Sequence, residues 1–374
     1  MEAASARLRS PRNSDAMRDW SPPISADLGY VELKRRLKQE GVFDRQYVFY
    51  AMQAVVAVGL FVLSLGLLFV LEPFWLKLLD AVLLTIAFVQ VGYLLHDAGH
   101  RQIFAKPRHN DMVMLVAGFL LGASRSWWFD MHNAHHAHPN DLDLDPNTAL
   151  PVLAFSEEQA LGKPGVLRFV VGFQAFYFLP LLSLEGLGTR LASVVHIAGG
   201  RARYPVVETV GMTVHVVLLV AIALLAMPWW QAAIFLLANQ LIAGFYLGAI
   251  FAPNHKGTLV PTADDGLGFL EHQVLSSRNI HPSPAIDFLY GGLNYQIEHH
   301  LYPSIPRNNL PRTRRIVRQF CEERGLAYQE TGMIASYVEV LSYFHRVSRP
   351  LRSRSAREAF MARRERAVEV PADA

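Results

Sequence analysis

Four long apolar stretches constrain this chain more than anything else in it. They run over residues 50–71, 76–95, 209–227 and 232–252, with lengths of 22, 20, 19 and 21 residues. At ~1.5 Å of rise per residue each is long enough, as a helix, to cross a hydrocarbon core of ~30 Å. The second carries Lys77 and Asp80 near its start; the first carries no charge at all. The stretches pair into two hairpins, and their tips, 72–75 and 228–231, hold Trp75, Trp229 and Trp230 but no Lys or Arg. Nine Lys or Arg precede the first stretch. Cationic segments stay on the cytosolic side and Trp settles at the interfaces, so both tips are expected to face away from the cytosol. Both termini and the segment 96–205 then lie inside.

Two shorter apolar runs, 112–123 and 169–184, the latter broken by Pro180, are too short for confident spans and read as re-entrant or interfacial helices. The sequence therefore predicts an all-α integral membrane protein: four transmembrane helices in two hairpins, re-entrant or interfacial helices, and a cytosolic helical cap. Residues 1–45 read as a flexible cytosolic arm, 46–345 as the membrane domain, and 346–374 as a basic tail. Across 374 residues, 35 Lys and Arg against 32 Asp and Glu leave a net charge of only +3, so nucleic acid is not an expected partner. The single cysteine, Cys321, excludes an internal disulfide, a Cys-ligated zinc site and an iron–sulfur domain.

Histidine is the residue in surplus. Seven of the fifteen fall in three clusters: His96-Asp97-Ala98-Gly99-His100, His132-Asn133-Ala134-His135-His136, and Gln296-Ile297-Glu298-His299-His300. Spacings of three and four return a helix to one face, so the first two clusters present stripes of imidazoles, and the third repeats the spacing with Gln296 in the first place. A single such pair occurs by chance on surface helices; three on one side of a membrane do not. Seven imidazole nitrogens exceed the four positions of one tetrahedral zinc, which points to two metals, with iron suited to oxygen chemistry.

These clusters resemble the three histidine boxes of the membrane fatty acid desaturases. The stretch Asn294-Tyr295-Gln296-Ile297-Glu298-His299-His300-Leu301-Tyr302-Pro303, followed by Pro306-Arg307-Asn308-Asn309, is most similar to the front-end desaturases, which place Gln before the third pair. His135-His136-Ala137, Pro139-Asn140, Asp143 and Asp145 add to the match. The resemblance implies a non-haem di-iron centre with His96, His100, His132, His135, His136, His299 and His300 as iron ligands. It implies O2 as co-substrate and a cis double bond inserted into an acyl chain carried by CoA or by a lipid. A further ligand is expected outside the boxes: His255, beside Asn254, is favoured over His281. Gln296 stands where other desaturases have an eighth box histidine, and so binds through its oxygen or orients a water; His281 and Asn254 are further candidates to bind metal or orient a water.

Asp97 and Glu298, lying between ligands, are expected to hydrogen-bond an imidazole N–H. Asp141, Asp143 and Asp145 imitate a calcium loop, but Pro146 and Val152 break its pattern, leaving a plain spacer. Segment 311–324 reads as an amphipathic helix whose Arg312 and Arg315 suit a phosphate-bearing headgroup. No His-Pro-Gly-Gly motif of a fused cytochrome b5 occurs, so the electron donor is expected to be a separate ferredoxin or cytochrome b5 with its reductase. Two rivals remain: a membrane di-iron hydroxylase of alkanes, sterols or carotenoids, and a non-enzymatic haem or zinc binder.

Overall fold

All four apolar stretches fold as continuous helices in the computed structural model, which describes residues 26–261 and 265–369. After α1 (Ala26–Gln39), the first hairpin is α2 (Tyr47–Val70) and α3 (Phe74–Gly99). A first bent pair follows, α4 (Pro107–Leu121) and α5 (Arg125–Ala137), and then the short helices α6 (Glu157–Gly162), α7 (Gly165–Val171), α8 (Gln174–Leu182) and α9 (Glu185–Ala198). The second hairpin is α10 (Pro205–Ala226) and α11 (Trp229–His255). Beyond it lie α12 (Phe269–Leu275), α13 (Pro284–Tyr290), α14 (Gln296–Leu301) and α15 (Leu310–Glu323), then α16 (Met333–Val347), α17 (Arg349–Arg352) and α18 (Arg354–Glu369). The four spans measure roughly 33 to 40 Å. The protein is thus an all-α membrane protein, as the sequence predicts.

The two shorter runs each fall in a bent pair of helices. Helices α4 and α5 meet at 110°, and α7 and α8 at 88°, so neither pair is a straight crossing. Gly122 makes the first bend possible. Its φ of +64° is a left-handed conformation, and a Cβ there would lie 2.4 Å from the His215 ring. Ser124 then caps α5, its Oγ accepting from the Trp127 N–H at 3.0 Å. Glu208 on α10 holds the same turn, accepting from Ser126 Oγ at 2.5 Å and from Ser126 N–H at 3.2 Å.

Helix α3 is the most enclosed span, whereas α2 and α10 face outward with apolar side chains such as Val55, Val70 and Leu225 exposed. An apolar exterior is what a lipid-facing helix requires. Between the helices, polar groups find partners. Ser64 Oγ donates to Asp80 at 3.1 Å, Lys77 Nζ to the Ala226 carbonyl at 2.5 Å, and Asn239 Nδ2 to the Ala81 carbonyl at 3.2 Å. The last two tie α3 to the second hairpin, and α3 and α11 both run from their tip toward the same end of the bundle.

At that end α14 and α15 form a helical cap, with a core of Leu270, Val274, Ile297, Leu301, Leu310, Val317 and Phe320. Residues 26–39 correct the expectation of a flexible arm through 45; residues 1–25 lie outside the described residues. Leu33 and Leu37, one turn apart, are fully buried in the cap core, and Tyr302 Oη donates to the Tyr30 carbonyl at 2.8 Å. The basic tail is helical through Glu369.

Candidate metal centre

His96 sits in the last turn of α3 and His100 caps that helix; α5 supplies His132, His135 and His136; α14 supplies His299 and His300. The eighth histidine of the site, His255, ends α11. That terminus is fixed by the buried Arg278, whose Nε donates to the Pro253 carbonyl at 3.0 Å and whose Nη2 donates to the Lys256 carbonyl at 3.1 Å. Free carbonyls at a helix C-terminus favour such a cation.

The eight imidazoles form two adjoining groups. His96, His100, His132, His136 and His299 make one, with ligand atoms all within 4.8 Å of one another; His135, His255 and His300 make the other. Within the first, Nε2 of His96 is 3.1 Å from Nε2 of His299, and Nε2 of His132 is 2.9 Å from that of His100 and 3.1 Å from that of His136. Within the second, Nε2 of His135 is 3.3 Å from Nε2 of His255. The rings of His136 and His300 stack at 4.1 Å and join the groups.

Burial first, and then the neighbouring imidazoles, hold His100, His132, His136, His299 and His300 well below the usual histidine range. That direction favours the neutral imidazole, the form that binds metal. Nitrogens facing one another this closely cannot all be satisfied by each other's protons, and His300 Nε2 is a buried atom without a hydrogen-bond partner among the described residues. The donor set, all imidazole and all buried, therefore fits iron.

Each group has its rings aimed from behind. His96 Nδ1 lies 3.1 Å from Asp97 Oδ1, and Asp97 Oδ2 lies 3.2 Å from Arg307 Nε. His135 Nδ1 lies 2.9 Å from Asp145 Oδ2, which also accepts from the Asn140 N–H at 2.9 Å. Burial alone would raise the Asp145 carboxyl, but His135, Lys256 and the Asn147 N–H together hold it well below the carboxylate range. His300 Nδ1 donates to Gln273 Oε1 at 3.0 Å, and His255 Nδ1 to the Ser276 carbonyl at 3.0 Å. Such partners fix ring orientation and tautomer.

Sequence reasoning anticipates Asp97 in this role but not the others. The loop bearing Asp141, Asp143 and Asp145 is more than a spacer, because Asp145 holds His135. Gln273 and Ser276 have no motif that would reveal them. Glu298 is placed differently from the expectation: its oxygens accept from Asn279 Nδ2 and Tyr328 Oη, each at 2.8 Å, and burial raises its carboxyl to about 7. Asn279 Oδ1 also accepts the Ile297 N–H at 2.9 Å, so Asn279 and Glu298 fasten α14 in place. His281 is exposed and paired through its backbone N–H with Thr331 at 2.9 Å, outside both groups. Gln296 and Asn254 are buried beside His255. Arg312 and Arg315 lie on the exposed face of α15, Arg312 paired with Glu40.

Residues 73–332 match a family model described as fatty acid desaturase. The chain is 32% identical to the Delta(8)-fatty-acid desaturase of Euglena gracilis over 340 residues, 86% of this chain and 80% of the relative. It is 28% identical to the Delta(6)-fatty-acid desaturase fat-3 of Caenorhabditis elegans, over 87% of this chain and 76% of the relative. The Delta(5) fatty acid desaturase fat-4 of the same nematode is 27% identical, over 85% and 73%. With the histidine groups buried at one end of a membrane bundle, these likenesses make the chain an oxidoreductase, a member of the fatty acid desaturase family.

Proposed function

We propose that this protein inserts a cis double bond into a fatty acyl chain, by front-end desaturation of an acyl-CoA or acyl-lipid, with a separate ferredoxin or cytochrome b5 as electron donor. The observation that carries the reading is the meeting of eight imidazoles from four separated segments in two adjoining buried groups. Two iron ions held there, with O2 as co-substrate, would supply the oxidising power needed to take hydrogen from an unactivated C–H bond, which acid–base side chains lack.

The chain's own residues do the remaining work. His96, His100, His132, His136 and His299 bind one ion; His135, His255 and His300 bind the other. Asp97, Asp145, Gln273 and the Ser276 carbonyl hold the rings. Burial excludes water, each of the eight imidazole residues being at most 9% exposed. The absence of Lys and Arg from both hairpin tips supports placing the termini and the metal centre on the cytosolic side.

Expression in a host lacking the activity, followed by mass spectrometry of double-bond positions, tests the reading. New unsaturated chains with the wild type and none with His300→Ala are expected, together with two irons per purified chain. A hydroxylated product in place of an alkene, or haem or a single zinc in place of iron, overturns it.

A further inference from the structure

We infer that Gln296 is not a metal ligand: it presents its amide N–H to the metal centre as a hydrogen-bond donor. The inference rests on the di-iron reading above and follows from two backbone carbonyls, which can only accept.

The Leu293 carbonyl lies 2.9 Å from one terminal atom of the Asn254 amide, so that atom is Nδ2. The same Nδ2 is 3.1 Å from a terminal atom of Gln296, which must then be the accepting Oε1. The other end of the Gln296 amide, Nε2, is thereby turned to His255, 2.9 Å from its Nε2. On the far side of that ring the Ser276 carbonyl, 3.0 Å from Nδ1, requires Nδ1 to carry the proton, so Nε2 of His255 bears the lone pair. The sequence of donors is closed at both ends. Asn254 is fully buried and Gln296 only 4% exposed.

The oxygen that would serve as a ligand is therefore engaged by Asn254 and turned from the three-histidine group, while an N–H is turned toward it. With the lone pair of His255 given to a metal ion, this N–H is left to donate to a non-protein ligand of that ion. Asn254 acts through Gln296 as a positioning residue, holding the amide against rotation.

The test is made on the full-length protein in detergent, loaded with iron and oxidised, with azide as the exogenous anion. Iron per chain is measured by elemental analysis, and azide affinity by titrating its charge-transfer absorption. Gln296→Met keeps the length of the side chain and removes both the donor and the oxygen. It is expected to retain the wild-type iron content and to bind azide about tenfold or more weakly, the usual effect of losing a hydrogen bond to a charged group. Asn254→Leu frees the amide without removing it and is expected to weaken azide in the same direction, which keeps the inference testable if the Met variant fails to fold. Loss of iron in Gln296→Met, or azide binding that is unchanged or tighter, overturns the inference alone. A wild type that takes up no iron overturns the di-iron reading and the inference with it.

Discussion

Asp145 Oδ2 lies 2.9 Å from Nδ1 of His135, ten residues earlier in the chain, and accepts the Asn140 N–H at the same distance. The loop between them turns back on the helix that carries His135, with Asn140 in a left-handed conformation at φ +62°. Its carboxylate makes Nδ1 the protonated nitrogen and leaves Nε2 for a ligand.

Removing this carboxylate weakens metal binding without removing a ligand. Asp145→Ala is expected to lower iron affinity about 10- to 100-fold, as loss of a ligand's hydrogen-bond partner commonly does. Competition with a chelator of known affinity measures it; an unchanged affinity shows that Asp145 only shapes the loop.

His255 and His281 separate cleanly. His255→Ala removes one of three imidazoles from its group and is expected to reduce iron from two per chain to one. His281→Ala touches neither group and is expected to leave iron content at the wild-type value. Elemental analysis of the two purified variants decides, and the reverse pattern would assign the outlying ligand to His281.

Asp97 and Arg307 form a pair buried to 2% and 7% exposure, with the guanidinium over the rings of Phe49 and Tyr93. Arg307→Met leaves a carboxylate uncompensated and is expected to cost about 3–5 kcal/mol of stability. The double variant Asp97→Asn with Arg307→Met is expected to recover part of that loss, since the two changes share one interaction. Thermal unfolding in detergent compares the wild type, each single variant and the double variant, and strictly additive losses would show that the pair does not interact.

Cys321 is fully buried in the cap core, and burial, with Glu298 and Glu322 nearby, pushes its thiol up from an ordinary value of 9.0 to about 12. A thiol whose folded pKa lies above its unfolded one keeps its proton. It costs the folded state nothing below pH 9 and destabilises it only as the pH climbs from there toward 12. At pH 8 roughly one thiol in ten thousand is ionised. Maleimide is therefore expected to label Cys321 at pH 8 only after denaturation; rapid labelling of the native protein would show that the cap opens.

Much of this molecule is written in local patterns. Apolar runs of about twenty residues must satisfy their backbone hydrogen bonds within themselves, so α2, α3, α10 and α11 are legible from length alone. The spacing of His132 from His135 and His136 places their rings on one helical face whatever surrounds it. The packing of Tyr30, Leu33 and Leu37 against α14 and α15 escapes such reading, because their partners stand more than 230 residues away along the chain.

What only the tertiary structure decides is how the stripes divide. His135 and His136 are neighbours in sequence, yet they fall in different groups, because adjacent residues on a helix point about 100° apart: His136 meets the ring of His100, and His135 that of His255. The place of His255 beside His135 and His300, the contacts of Gln273, Ser276 and Asp145 with the rings, and the direction of the Gln296 amide all depend on contacts between segments distant in sequence. Sequence spacing sets which face a side chain occupies; the packing of distant helices and loops determines what that face meets.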